Sequence, residues 1–514
     1  MSTIASSDKR PIKEQREQTF AKLNIVAYPR YTEAPEGYPL VTHELLHSRW
    51  GHAMDDGAKL TNVQVSVQGR IRSKREASKK LFFYDVEQNG HTVQVVASQA
   101  RYAGGEAGEF RALNRALLSG DIVRASGFVG KTGTGETSVF VTHELKLLAP
   151  CLHTIPSRSG LADTQKRFRN RHLDLLVNTK SKHALVARAK VLKYIRQFLD
   201  LRQFVEVETP VLSPQVGGAS AKPFQTKAAA FGEVDLFMRV APELYLKQLV
   251  VGGMDRVYEI GKQFRNEGID ADHNPEFTTC EFYQAYATLE DLMRETEELL
   301  RGMSREVAGS TVVQAVGSGG ETMDIDLGRP FKRIDVLEFL RKEIPELPIE
   351  FTTDEAKNQL VEILRARHIP APKPHTTPRL LDRLIGHYIE PLCVQPTFLV
   401  GHPSIMSPLS KCADEEKTVS ARFELFVNGK ELVNAYEELN DPNEQRDKFR
   451  MQAAERDSGD EEVPPPDAAF CDALEFGLPP TGGWGMGVDR VVALLAGAKH
   501  LRETIAFPIM KPSS

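Results

Sequence analysis

The sequence predicts an α+β protein in two folded parts, on three observations. Residues 63–149 carry short runs in which apolar and polar residues alternate, separated by Gly-containing turns. From His183 to Phe204, the residues Leu185, Ala189, Leu192, Ile195 and Leu199 recur at spacings of three and four, the pattern of an amphipathic helix. Residues 288–305 and most of 333–395 also read as helical, with strands and loops filling the chain up to about residue 287.

Taken in order, residues 1–45 are polar with scattered apolar positions and predict a short helix or a mobile extension. The runs VQVSVQGRIR (63–72), LFFYDVEQNG (81–90), HTVQVVAS (91–98), GDIVRASGFVGKT (120–132) and SVFVTHELKLLA (138–149) predict five strands. The segment around GEFRALNRALLSG fits the helix that interrupts a five-stranded oligonucleotide-binding barrel, the OB-fold, here placed at 46–152. Residues 153–182 read as a linker, basic through RFRNRHLDLLVNTKSK, before a second part at 183–514 with a helical insertion around 333–395. EEVPPPD (461–467) predicts a loop, and GWGMGVDRVVALLAG a Gly-rich strand or turn running into a helix.

The 514 residues suffice for roughly two to four domains and a large core. No apolar run approaches the roughly 18–20 residues that span a bilayer, so no membrane partner is expected. The first 25 residues lack the apolar stretch of a signal peptide, and Asp8, Glu14 and Glu17 disfavour a transit peptide. Cys151, Cys280, Cys393, Cys412 and Cys471 lie far apart, which predicts a reducing, cytoplasmic compartment and no thiolate zinc site. With a net charge of −5, a nucleic-acid partner needs a local basic patch. One lies between Arg70 and Lys80, where Arg70, Arg72, Lys74, Arg75, Lys79 and Lys80 face a single acid, Glu76.

Three stretches carry chemistry. In FRNEGIDADHNPEFTTCEFY (264–283), two strands flank a polar loop, and Glu281 and Tyr283, two apart, share a face. Arg265 at the loop edge suits charge stabilisation in phosphoryl or nucleotidyl transfer, and Phe277 offers a flat surface to a purine. In RFELFVNGKELVNAYEELND (422–441), Asn434, Tyr436 and Glu438 alternate, and Glu424 and Glu431 are hard oxygen ligands of the kind Mg²⁺ takes. In GLPPTGGWGMGVDR (477–490), Gly482, Gly483, Gly485 and Gly487 allow close backbone approach to a ligand, and Arg490 follows. Singly, each is also the pattern of a solvated hairpin or turn, and none is a Walker or Rossmann motif.

Together they resemble the class II aminoacyl-tRNA synthetases, and closely the cytoplasmic-type lysyl-tRNA synthetase family. The matching pieces, in the expected order over roughly residues 60–510, are VETPVLSPQVGGASAKPF (motif 1), FRNEGIDADHNPEFTTCEFY (motif 2) and GWGMGVDR (motif 3). APELYLKQLVVGG, HPSIMSPLSK and ELVNAYEELNDP join them. The resemblance implies an antiparallel catalytic sheet flanked by helices and a homodimer through motif 1, with Pro210 and helix 183–204 at the interface. It implies ATP held bent by Arg265, Glu267, His273, Asn274, Phe277, Glu424, Leu425, Gly487 and Arg490, adenine lying between Phe277 and Arg490. Glu424 and Glu431 are the implied ligands of Mg²⁺, up to three ions with ATP.

Enzymes of this group that charge aspartate or asparagine should offer cations to the side chain, whereas this chain offers acids. A buried ammonium needs a carboxylate, because leaving it unpaired costs several kcal/mol. Glu438 and Tyr283 are therefore expected at the ε-ammonium of lysine, and Glu243 and Glu281 at the α-ammonium beside Gly217 or Gly218. Asn434 and Tyr436 complete the wall, and Arg265 is left for the carboxylate and the α-phosphate. The expected reaction is in-line attack of the lysine carboxylate on ATP, loss of pyrophosphate, and transfer of lysine to the terminal ribose of tRNA(Lys). The implied catalytic residues are Arg265 and Arg490.

The barrel is expected to read the anticodon through Phe82 or Phe83, one of which alternation sends to the core, with Arg70, Gln94 and Lys131 as further contacts. Lys9, Arg10, Lys13, Arg16 and Lys22 offer a general attraction for tRNA. The competing readings are a non-catalytic nucleic-acid-binding relative, an aspartyl or asparaginyl enzyme, and a protein-lysylating relative. The first should have lost an arginine or metal carboxylate, the second should lack the acidic pocket, and the third should lack the barrel.

Overall fold

The computed structural model describes residues 11–156, 161–232, 234–317 and 319–511. The chain divides into two compact units between Leu161 and Ala162. In the first, helix α1 (Ile12–Lys22) precedes strands β1 (Lys59–Ser78), β2 (Leu81–Gln88) and β3 (His91–Ser98), helix α2 (Ala107–Ala116), and strands β4 (Ile122–Lys131) and β5 (Thr137–Ala149). The strands close into a barrel in the order β1-β2-β3-β5-β4, the OB-fold expected from the alternating pattern. Inward positions such as Val67, Phe82, Tyr84, Val95 and Val139 fill the interior with Phe110 of α2.

α1 carries some of the basic residues expected to attract tRNA, but Arg16 is not available for it. It is buried and donates to both carboxylate oxygens of Asp121 at 2.8 Å. Arg124 likewise donates to the carbonyls of Thr32 and Glu33 while pairing with Glu144, so residues 32–33 are held to the barrel rather than loose. Lys9 and Arg10 lie outside the described residues.

The second unit opens where a linker was expected. Residues 153–182 instead contain two short helices, Thr164–Arg169 and Arg171–Val177, and the start of α3 (Thr179–Asp200). Part of the basic run is internally paired: Arg167 and Arg171 both donate to Asp174, which is fully buried, and Arg171 also caps the carbonyls of Glu503 and Ile505. Beyond α3 come β6 (Val205–Glu206), a three-stranded ribbon within 212–238, and helix α4 (Glu243–Val251). α4 falls where strands and loops were expected: it buries Leu244, Leu246 and Val250, and so apolar a short run carries little of the helical period.

Then follow β7 (Arg256–Phe264), β8 (Glu276–Ala285), α5 (Leu289–Ala308), a two-stranded ribbon within 312–326, and β9 (Lys332–Asp335). The insertion packs α6 (Val336–Glu343), α7 (Asp354–Ala366) and α8 (Thr377–Tyr388) around Leu340, Leu360, Leu364, Leu380 and Leu384. β10 (Thr397–Val400), β11 (Arg422–Val427), β12 (Lys430–Glu437), α9 (Pro442–Asp457), α10 (Ala468–Leu474), β13 (Thr481–Gly487) and α11 (Val488–Ala496) complete the chain. Eight strands form one sheet, β9-β10-β11-β12-β13-β8-β7-β6, antiparallel except at its two edges. Phe282 stacks on Trp484 at 4.7 Å on its core face, and α3, α5 and α11 cover that face.

Candidate active site

The opposite face of the sheet floors a cavity of about 640 Å³. Three central strands build it by register. Tyr283 of β8 and Tyr436 of β12 both sit opposite Gly483 of β13, and Glu281 and Asn434 both sit opposite Gly485. The rungs between them carry Phe282, Trp484 and Ala435 to the core, so the side chains that line the cavity are every second residue. Glycine on the middle strand leaves the floor open. A Cβ on Gly483 would lie 1.8 Å from Glu438 Oε1 and 2.7 Å from the Tyr283 ring.

One end of the cavity is acidic. Glu243, Glu281 and Glu438 are buried there. The Tyr436 hydroxyl donates to Glu243 Oε1 at 2.6 Å, and the Lys247 ammonium donates to Glu243 Oε1 at 2.8 Å and to Glu438 Oε2 at 2.9 Å. Glu438 Oε1 is buried with no hydrogen-bond partner. Burial pushes the Glu281 and Glu438 carboxyls up to about 8, the neighbouring carboxylates adding to it. It also raises the Tyr283 and Tyr436 hydroxyls well above their usual range. Lys247 escaped the sequence reading, although its spacing of four from Glu243 on a helix was there to be read had α4 been recognised.

The other end carries the cations. Arg265, Glu267, His273, Asn274, Phe277, Glu424, Glu431, Gly487 and Arg490 all line it. Arg490 donates to the Glu431 carbonyl at 2.7 Å and to His273 Nε2 at 3.4 Å, while the opposite ring nitrogen of His273 meets Asp270. The Arg265 guanidinium stands 5.2 Å over the Phe277 ring, and its Nε is buried without a partner. Asn274 donates to the Glu276 carbonyl, leaving a buried, partnerless Oδ1.

Glu424 and Glu431 face the cavity from neighbouring strands. Burial lifts Glu424, but Arg422 and His402 beside it outweigh that and hold it at about 2. Burial and the nearby Glu424 raise Glu431. Among the described residues no group of three or more His, Cys, Asp or Glu could hold a metal ion unaided. Two carboxylates suit an ion that takes its remaining oxygens from nucleotide phosphates and water, as Mg²⁺ does.

Two expected site residues are not brought to the cavity. The Leu425 side chain is fully buried in the sheet core, on the face opposite Glu424, because alternation along β11 sends it there. Gly217 lies behind the lining, where a Cβ would meet Leu244 at 2.5 Å; Gly218, at φ +88°, is the glycine on the cavity.

On the barrel, Phe82 faces inward at 1% exposure and cannot stack on RNA, whereas Phe83 is on the outer face under the Arg75 guanidinium at 4.6 Å. Phe83 packs with Leu81, Val96, Phe128 and Phe140, the last two stacked at 5.2 Å, with Lys59 and Arg101 over Phe140. Phe128 and Phe140 are themselves buried, at 6% and 5% exposure, and form the apolar support on which part-buried Phe83 rests. Gln94 is buried, joined to Glu136 and Ser138; Arg70 donates to the Gly120 carbonyl; and Lys131 is 4.0 Å from Asp56.

A mononucleotide-sized, glycine-floored cavity on an antiparallel sheet, with arginines at one end and carboxylates at the other, is the geometry of a class II synthetase. Residues 163–511 match the family described as class II tRNA synthetases (D, K and N), and residues 65–147 the OB-fold nucleic acid binding domain. The chain is 46% identical over 464 residues to lysine–tRNA ligase cla4 of Cladosporium cladosporioides, covering 88% of this chain and 77% of that one. It is 47% identical over 456 residues to a probable cytoplasmic lysine–tRNA ligase of Encephalitozoon cuniculi, covering 87% and 88%. To the mitochondrial lysine–tRNA ligase of Schizosaccharomyces pombe it is 41% identical over 504 residues, covering 96% and 92%. The chain belongs to the lysine–tRNA ligase family of the class II synthetases, the ATP-dependent ligases.

Proposed function

We propose that the enzyme activates L-lysine with ATP and passes it to the 3′ end of tRNA(Lys), with each substrate group held by the residues assigned here. The observation that carries the pocket assignment is the partition of charge in one cavity: three buried carboxylates at one end, Arg265 and Arg490 at the other. Glu438 Oε1, buried and partnerless, is the acceptor for the ε-ammonium, with Tyr283 beside it. Glu243 and Glu281, next to Gly218, take the α-ammonium, and Asn434 and Tyr436 close the wall. This turns the lysine carboxylate toward Arg265, which lines the cavity and whose buried Nε has no hydrogen-bond partner.

ATP lies over Phe277, which supplies a face for adenine once Arg265 turns to the α-phosphate, and Arg490 closes the other side. Asn274 Oδ1 offers an acceptor to the nucleotide, and Glu267 and His273 lie near the ribose and phosphates. Glu424 and Glu431 would hold Mg²⁺, up to three ions with ATP, and the metal would supply charge neutralisation at the phosphates. No side chain acts as a covalent nucleophile: Arg265 and Arg490 position the reactants and stabilise the developing charge. The enzyme works as a homodimer through motif 1, supported by exposed Pro210 and by exposed apolar Leu201, Val205, Val211 and Leu212 around the β6 sheet edge. Placement in the cytoplasm is supported by relatives named cytoplasmic at 46–47% identity against 41% for the mitochondrial one.

Pyrophosphate exchange tests the pocket directly. Glu438→Gln should keep its ATP KM and lose its preference for lysine over norleucine by about 100-fold, the scale of a lost charge-assisted hydrogen bond. An unchanged preference would refute the pocket.

A further inference from the structure

Lys247 has no place in the reaction outlined above, yet its side chain is wholly enclosed beside the acidic end of the cavity, at 0% exposure. A solitary buried ammonium is costly, and here it is bound on both sides: to Glu243 Oε1 one turn earlier on α4, and to Glu438 Oε2 at the end of β12. The Phe470 ring, 5.1 Å from its nitrogen, backs it from α10. It therefore ties together two carboxylates 195 positions apart in order of chain, counting from Glu243 to Glu438.

Two consequences follow from the geometry. Glu438 has two carboxylate oxygens, and Lys247 occupies one, so that only Oε1, held against Gly483, is left for a ligand. The cavity end holds three carboxylates, Glu243, Glu281 and Glu438, and with all three ionised around a bound ligand Lys247 offsets one charge, leaving two. Two is the number of ammonium groups on a diamino acid.

We propose that Lys247 is a positioning residue that sets amino-acid specificity: it locks Glu438 so that one oxygen is presented, and trims the pocket's charge to match a substrate with two ammonium groups. This rests on the lysine-pocket reading above. Without its cation, Glu243 and Glu438 share a proton or splay apart, and Glu438 loses its fixed orientation.

The test compares Lys247→Met, which keeps the length and removes the charge, with Lys247→Gln, which still donates a hydrogen bond, in pyrophosphate exchange with the full chain. Expected for both is a rise of about 10-fold or more in lysine KM with kcat and ATP KM within about threefold, and an equal fall in lysine-over-norleucine preference. Combined with Glu438→Gln, Lys247→Met should add almost nothing, because the two act through one contact. A purely structural plug would instead lower thermal stability, kcat and ATP KM together and leave the preference between amino acids intact. That result, or additive losses in the double variant, or failure of both single variants to fold, would overturn the proposal. Loss of selectivity in Glu438→Gln with normal Lys247 variants would sink this inference and spare the pocket, whereas an unaffected Glu438→Gln would sink the pocket itself.

Discussion

Gly483 shows how much a single missing side chain decides. Its Cβ would fall 1.8 Å from Glu438 Oε1, and neither the β13 backbone nor the carboxylate held by Lys247 can withdraw. Gly483→Ala should therefore raise lysine KM by about 10-fold or more while ATP KM stays put, read by pyrophosphate exchange at varied lysine. The raised carboxyls give a second residue-scale expectation. Glu281 and Glu438 stand near 8 in the folded, ligand-free enzyme against a usual 4.5, so between those values the folded state binds more protons than the unfolded one. Their contribution to stability is present at pH 5 and is lost as pH rises toward 8. Because lysine's ammonium groups favour the ionised carboxylates, binding at pH 7 should release protons. Calorimetry in two buffers of different ionisation enthalpy measures that release, and Glu281→Gln should reduce it. Most of this site was legible from residue type and two-residue alternation: Glu281, Tyr283, Asn434, Tyr436 and Glu438 all reach one cavity. Lys247 was not, because its spacing of four from Glu243 counts only once α4 is known to be a helix, and the Leu425 side chain misses the cavity because neighbours on a strand face opposite ways.

Among elements, motifs 2 and 3 are joined to helix α3 by one buried cluster. Asp489, in the first turn of α11, accepts from the Thr278 amide of β8 at 2.8 Å and pairs with Arg188 of α3, which also donates to the Thr278 hydroxyl at 2.7 Å. Helix α3, which precedes motif 1, the motif 2 strand and the motif 3 helix thus share a single carboxylate. Asp489→Ala should strand Arg188 and one amide, and cost about 3–5 kcal/mol in urea unfolding, the scale for breaking a buried pair from one side. Such couplings explain which elements the sequence concealed. α4 is too short and too apolar to show a period, and the helices at 164–177 hide their basic residues in pairing with Asp174 and in capping carbonyls near residue 505. The carbonyls that Arg171 caps lie more than 330 positions away, which no local pattern reveals. The exposed β6 edge belongs to this scale too. For the proposed dimer, Val205→Lys on β6 with Leu212→Lys on the neighbouring ribbon should shift sedimentation from dimer to monomer without changing the far-ultraviolet circular dichroism, since both side chains are exposed.

At the scale of the whole molecule, the two units carry different assignments, and each assignment has its own test. The barrel's architecture was legible because five strands with clean alternation leave few alternatives, and the same alternation sorts its two neighbouring phenylalanines once the register is known. Phe82 is sealed in the interior among Tyr84, Phe110 and Val67, whereas Phe83 lies on the outer face beneath Arg75, part-buried against the covered Val96, Phe128 and Phe140, with Lys59 and Arg101 over Phe140. Stacking of a single-stranded base on an aromatic ring is worth about 1–3 kcal/mol, roughly 5- to 150-fold in affinity. Phe83→Ala should weaken tRNA(Lys) in the aminoacylation assay by that factor, and leave lysine-dependent pyrophosphate exchange without tRNA unchanged, because the described residues that line the catalytic cavity all lie between Gly218 and Leu501. Its melting temperature should hardly move. Phe82→Ala should do the reverse at the first step, removing about 3–5 kcal/mol of core packing. Any loss of tRNA binding there should follow the unfolded fraction of the barrel, measured by parallel denaturation. Equal tRNA losses in both variants at temperatures where both remain folded would contradict the assignment of the outer face as the RNA-reading surface.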